Sequence, residues 1–201
     1  MSTTIPGPDG RARCRWCATP PEFLHYHDTE WGFPVADDRR LFEKLCLEGF
    51  QSGLSWRTIL AKRENFRVAF HGFDFERIAA FTERDVARLL QDPGIVRHRG
   101  KIEAVIHNAG CACEMVEREG SLAALFWRYE PSAAALAEPQ TVSTSAEALA
   151  LSKDLKKLGW KFVGPTTVYA FMQAMGLVND HATGCVVRRE VTQARRRFKR
   201  P

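Results

Sequence analysis

From Asp38 onward, apolar residues recur at the three-to-four-residue spacing of amphipathic helices. Leu41, Phe42, Leu45 and Cys46 form the first apolar stripe. Ser55 is placed to cap a second helix whose inward face carries Ile59, Leu60, Phe66 and Phe70. Asp74 opens a short helix through Ile78. Thr82 and Asp85 form a capping box ahead of Val86, Leu89 and Leu90, and Asp92-Pro93-Gly94 stops that run. A longer helix from about Lys101 turns Ile102, Val105, Ile106 and Ala109 inward and ends before Gly120. Ser121 then caps Leu122 to Tyr129. Residues 130–143 are the least regular connection. Thr144 and Glu147 predict another capping box, leading a helix to about Leu158 that Gly159 terminates. Pro165 suits the first turn of a helix carrying Val168, Phe171, Met172 and Met175. No long alternating pattern and no repeat is present, so the expected fold is mainly α. Residues 1–13 are expected to be a disordered leader, followed by an irregular, helix-poor segment up to Asp38.

Composition narrows the class. A chain of 201 residues buries one core or two small lobes, and 45% hydrophobic with 26% charged residues suits a globular domain. No apolar run approaches the ~20 residues needed to span a bilayer, and the first ten residues lack the basic start and apolar stretch of a signal peptide. The expected compartment is the cytoplasm, where thiols stay reduced. The six cysteines are then core residues or metal ligands rather than a disulfide framework. The formal charge is +5, and much of the excess lies in a basic tail, residues 188–201. Such a tail can hold a polyanion through counterion release, or simply keep the chain soluble.

Three stretches carry candidate chemistry. In Cys46-Leu-Glu-Gly-Phe-Gln-Ser-Gly-Leu-Ser-Trp56, a carboxylate, Glu48, follows a buried helical face. Gly49 and Gly53 bracket the connection, and Leu54 sits on it without helical neighbours. Read alone, this is a helix corner with a solvated Glu and a core Trp. Cys14, His27, His181 and Cys185 have the chemistry of a closed tetrahedral zinc site, in which no position is left for an activated water. Spacing alone leaves Cys17 and His25 as competitors. Residues 152–176 read as a helix, a tight hairpin through Phe162-Val-Gly164, and a second helix from Pro165. The unpaired N–H groups at the start of that second helix suit a phosphate, with Lys161, Thr166 and Thr167 beside them. An ordinary helical hairpin is the plainer alternative.

Longer motifs add a resemblance. Tyr26-His-Asp-Thr-Glu-Trp-Gly32, Leu47-Glu-Gly-Phe-Gln-Ser-Gly-Leu-Ser-Trp56, Gly94-Ile-Val-Arg-His-Arg-Gly-Lys-Ile102, Gly164-Pro-Thr-Thr167 and Gly176-Leu-Val-Asn-Asp-His181 follow one another in order, with Cys185 after them. Over roughly residues 14–185 the chain resembles the 3-methyladenine DNA glycosylase I family of the helix–hairpin–helix DNA glycosylase superfamily. The resemblance implies a glycosylase domain over 14–187 whose zinc-binding ends, 14–37 and 176–187, are pinned together by one structural Zn2+ on Cys14, His27, His181 and Cys185. It implies a base pocket of Tyr26, Trp56, Phe23 and Glu48, with Glu48 the candidate catalytic residue. Gly53 and Leu54 are implied to enter the DNA stack, and Lys161, Gly164 and Thr166 to contact DNA. Phe23 stands where a tyrosine is expected in a well-known member of the family, which keeps a stacking face and removes a hydroxyl.

The implied activity is a monofunctional DNA repair glycosylase. It would act as a monomer on double-stranded DNA containing alkylated bases, hydrolyse the N-glycosidic bond and release 3-methyladenine. It would be a cytoplasmic enzyme, nucleoid-associated when acting. Methylation at N3 makes the base a cation, so its glycosidic bond is already weakened and the demand falls on selective capture. A carboxylate and two aromatic faces answer that demand, each cation–π contact adding ~0.5–2 kcal/mol. Asn179 occupies the position where other members of the superfamily carry a catalytic aspartate, with Asp180 one residue later. No strong general base is implied.

Overall fold

The computed structural model describes residues 3–201 and is mainly helical, as its periodicity implies. Helix α2 (Asp38–Gln51) runs through the centre and is buried almost all round from Leu41 to Phe50. It packs against α3 (Trp56–Ala61), against α10 (Pro165–Ala174), and against the long α7 (Arg99–Glu119). Phe42, Phe50, Phe66, Phe70, Phe126 and Phe171 fill the space between these helices and are fully buried. α5 (Phe75–Ala79) and α6 (Glu83–Gln91) cover the outer side of α7, and α8 (Leu122–Phe126) follows it.

Most expected caps are in place. Ser55, Asp74 and Ser121 each accept a hydrogen bond from the backbone N–H three residues on, and Thr82 and Asp85 form their reciprocal box. α9 (Ala146–Lys157) differs: Ser145, rather than Thr144, accepts from the Ala148 N–H at 3.1 Å. The run expected as one helix over Ile59–Phe70 breaks at Lys62 into α3 and α4 (Arg63–Ala69), because Lys62 leaves helical geometry. α9 and α10 are joined by a short hairpin in which Ser152 donates to the Val163 carbonyl at 2.6 Å.

The N-terminal expectations need correction. Within the expected disordered leader, strands β1 (Thr4–Pro6) and β2 (Ala12–Cys14) pair antiparallel, with Thr4 opposite Cys14. The buried Arg13 guanidinium ties this hairpin down through Asp9 and Asp28, at 2.5 and 2.9 Å. The segment before Asp38 is not helix-poor either, for α1 (Pro21–Thr29) places Tyr26 and His27 in the interior. At the other end, most of the basic tail is helix α11 (Val186–Arg197), which packs against β2. Arg188 donates to the carbonyls of Asn179 and His181, and Arg195 to that of Gly176 and to Glu130. Phe198 packs on Trp127 with ring centroids 4.4 Å apart. Arg196, Arg197 and Lys199 remain exposed. No helix among the described residues is long and apolar enough to cross a membrane.

Candidate functional site

A cleft of about 340 Å³ opens where α1, α2 and α3 meet α10. Its walls include Trp16, Tyr26, Glu48, Trp56, Gln173 and Asp180. α2 supplies Glu48 one turn before its C-terminus, and the cleft reaches Gln51 at its end. The chain then turns through Gly53, whose φ of 80° is a left-handed conformation that other residues adopt only with strain. This turn holds Leu54 outward, 44% exposed, and returns Trp56 to the cleft at the first turn of α3. Tyr26 and Trp56 face each other with ring centroids 5.5 Å apart.

Glu48 does not face the cleft as a bare carboxylate. Lys44, one turn earlier on α2, places its ammonium 2.7 Å from Glu48 Oε1 and donates to the Tyr26 hydroxyl at 2.9 Å. The same nitrogen lies 3.3 Å from the centroid of the Trp56 ring. Lys44 and Glu48 are both buried, and desolvation, the largest influence, lowers the Lys44 pKa against the opposing pull of Glu48. Burial likewise raises the phenol pKa of Tyr26 far above its ordinary value, so it stays protonated. In the same cleft the Asp180 carboxylate accepts from the Gln140 N–H at 2.7 Å and from Gln173 at 2.5 Å. Burial raises its pKa above the usual carboxylate range.

Behind Tyr26 lies the second cluster. One ligand atom from each of Cys14, His27, His181 and Cys185 lies within 4.8 Å of the others, and all four residues are buried. His27 Nδ1 is 2.7 Å from Asp28, and His181 Nε2 is 2.9 Å from the Trp31 carbonyl. Both neighbours only accept, so those ring nitrogens carry the protons. The remaining nitrogens, His27 Nε2 and His181 Nδ1, then present lone pairs to each other at 3.1 Å. A cation among the four donors removes that repulsion. Cys185 Sγ is 3.5 and 3.7 Å from the two nitrogens, close to the ~3.3–3.8 Å edges of a tetrahedron with zinc-like bonds. Cys14 Sγ accepts from the Ala182 N–H and from Gln140, both at 3.2 Å, as a thiolate would. Hydrogen-bonded ligands of this kind are the usual second layer of a metal site. The donor set fits a closed site for a metal such as zinc. Cys17 turns its thiol to the Cys14 carbonyl and His25 is exposed, so neither belongs to the cluster.

A third group of residues forms the rim. Asn108 on α7 pairs with both backbone groups of Lys161, accepting its N–H at 2.8 Å and donating to its carbonyl at 3.0 Å. Lys101, also on α7, donates to the carbonyls of Phe50 and Ser52 at the end of α2. One helix thus holds the Leu54 turn and the α9–α10 hairpin side by side. Gly49 permits the approach, since a Cβ there would lie 3.3 Å from Phe162 Cβ. Lys161 and Thr166 are exposed, and Gly164 is the residue before α10.

The family model for methyladenine glycosylase matches residues 16–189, nearly the whole chain. The chain belongs to this family. It is 50% identical over 177 residues to DNA-3-methyladenine glycosylase 1 of Escherichia coli (strain K12), covering 86% of this chain and 95% of that one. DNA-3-methyladenine glycosylase of Haemophilus influenzae is 45% identical over 177 residues, with 86% and 96% covered. Among solved structures, one describing 3-methyladenine recognition by 3-methyladenine DNA glycosylase I from Staphylococcus aureus superposes with a TM-score of 0.81 at 36% identity. It covers 88% of this chain and 96% of that one.

Within this family fold, the structure brings Tyr26, Glu48 and Trp56 to one cleft, Gly53 and Leu54 to its rim, and the four expected ligands to one cluster. Phe23 is displaced from the cleft. It meets Trp16 edge-on at 5.9 Å and lines a neighbouring hollow with Arg57 and Leu60, while Trp16 forms the cleft wall. Lys44, Asn108 and Lys101 are absent from the sequence reading of the site. Lys44 is four residues before Glu48, the spacing of an ordinary surface ion pair. Lys101 belongs to the Gly94–Ile102 motif, whose use is invisible until the fold sets it under the Leu54 turn.

Proposed function

We propose that this protein is a monofunctional DNA-3-methyladenine glycosylase, working as a monomer on double-stranded DNA in the cytoplasm. The carrying observation is a buried carboxylate, Glu48, lining one cleft with the aromatic side chains of Tyr26 and Trp56, beside a glycine turn that holds an exposed leucine. A base inside a duplex cannot reach such a cleft, so it must be extruded. Leu54 fills the vacated place in the stack. The cationic base lies against these aromatic rings and gives its donors to Glu48, whereas neutral adenine brings less charge to offset the desolvation of that carboxylate. Cleavage releases a neutral base, and the weakened bond needs little proton transfer from the protein. The α9–α10 hairpin acts as a helix–hairpin–helix motif, with the N–H groups after Gly164, the Thr166 hydroxyl and Lys161 on the phosphates.

One structural Zn2+ on Cys14, His27, His181 and Cys185 would hold the N- and C-terminal segments together. With four protein ligands it takes no part in the chemistry. Its effect on the cleft is indirect: His27 follows Tyr26 on α1, so fixing one fixes the other.

A duplex oligonucleotide bearing a single 3-methyladenine distinguishes excision from damage binding. The expected product is an abasic site in an unbroken strand, cut only after alkali. Strand cleavage without alkali would contradict monofunctional action, and tight binding without an abasic site would favour a binding module. Leu54→Ala is expected to slow excision roughly 10-fold or more while leaving the melting temperature nearly unchanged, as exposed sites contribute little to stability. Lys161→Ala should weaken DNA binding regardless of sequence and reduce the slope of log Kd against log salt by about 1.

A further inference from the structure

The base cleft already contains a cation. The Lys44 ammonium touches Glu48 at 2.7 Å and lies 3.3 Å from the centre of the Trp56 ring, the two contacts that would recognise a positively charged base. Resting on the reading of this cleft as a base pocket, we propose that Lys44 is a resident counter-ion that the alkylated base displaces, so capture exchanges one cation for another. A buried Glu48 without a partner would be costly in the free protein, and Lys44 removes that cost. The arriving base takes over both contacts. Once its glycosidic bond breaks the base is neutral, and the ammonium regains Glu48, favouring product release.

The surroundings allow the exchange. Lys44 stands in the wall between the cleft and a small hollow behind it, lined by Glu30, Glu43, Arg40, Arg63 and Arg67. Two of those acids are already satisfied, Glu30 by Arg63 at 2.7 Å and Glu43 by Arg67 at 2.8 Å. The other titratable groups facing the cleft are Tyr26 and Asp180. Among the described residues Glu48 is the one carboxylate that pairs directly with Lys44, and losing it leaves the ammonium only the more distant pull of Glu30 and the Tyr26 hydroxyl. Burial also makes Lys44 give up its proton more readily than an ordinary lysine. The competition therefore weakens as pH rises, because a neutral amine does not contend for Glu48.

The test uses 3,9-dimethyladeninium, a permanent cation, and neutral 3-methyladenine as probes, followed by fluorescence of the cleft tryptophans between pH 7 and 9. Wild-type affinity for the cation is expected to rise with pH as the competing charge is titrated away, while affinity for the neutral base stays level. Lys44→Met should bind the cation about tenfold more tightly at pH 7, with no rise. Lys44→Arg, which keeps its charge, should bind it weakly throughout. Even if Lys44→Met fails to fold, the wild-type and Lys44→Arg profiles decide the matter. A wild-type profile that is flat, no capture of the cation, or weaker capture by Lys44→Met overturns the exchange. Base release from alkylated DNA, run in parallel, separates the two levels. Normal release with a flat profile removes only the exchange, whereas absent release removes the glycosylase reading and the exchange with it.

Discussion

Glu48→Gln is expected to reduce excision of 3-methyladenine by roughly 100-fold or more, which corresponds to about 2.7 kcal/mol of lost transition-state stabilisation. The amide keeps the size and one acceptor of the carboxylate but removes the charge opposite the departing base. It also removes the partner of Lys44, 2.7 Å away in a buried setting. Stranding one member of such a pair costs about 3–5 kcal/mol, less where the replacement still accepts a hydrogen bond. Two effects are therefore combined in this variant, and a second substitution separates them. Lys44→Met with Glu48→Gln leaves no unpaired charge and should recover most of the melting temperature without recovering excision. If the double variant regained activity, Glu48 would matter only as the lysine's counter-ion.

Loss of the metal has the second large effect. His181→Ala, or a strong chelator, is expected to remove one zinc per chain and lower the melting temperature. Zinc binding to small finger peptides is worth ~10–16 kcal/mol; losing even roughly 3 kcal/mol here would shift the midpoint by about 6–12 °C at this chain length. The damage should reach the cleft, since His27 and Tyr26 are adjacent on α1 and Gln140 joins Cys14 to the backbone of Asp180. Metal analysis of the purified protein, with melting before and after chelation, checks this. Protein free of zinc with an unchanged midpoint would leave the cluster as packed thiols and imidazoles.

The sequence displayed the helices well and the site only in part. Apolar periodicity and capping residues mark α2, α6 and α7 because each has one clear inward face. α1 is hard to read from sequence because it is short, starts at consecutive prolines and turns Tyr26 toward Lys44 and Trp56 but His27 toward the Cys/His cluster. Strands β1 and β2 have three residues each, too few for alternation to register, and their order depends on the Arg13 network with distant Asp28. The break at Lys62 has no glycine or proline to announce it. For the cleft, Glu48, Gly53 and Trp56 stood out as unusual neighbours. Lys44 did not, because its burial comes from Tyr26 and Trp56, which only the tertiary fold sets against it. Phe23 followed the family pattern, yet Trp16 takes the wall beside Tyr26.

Release of free base from methylated duplex DNA, followed by chromatography with wild type and Glu48→Gln side by side, addresses the central claim most directly. A rapid release of 3-methyladenine by the zinc-loaded wild type, reduced roughly 100-fold in the folded variant, is the result predicted here. No release of methylated base by the wild type, or equal release by both, would contradict it.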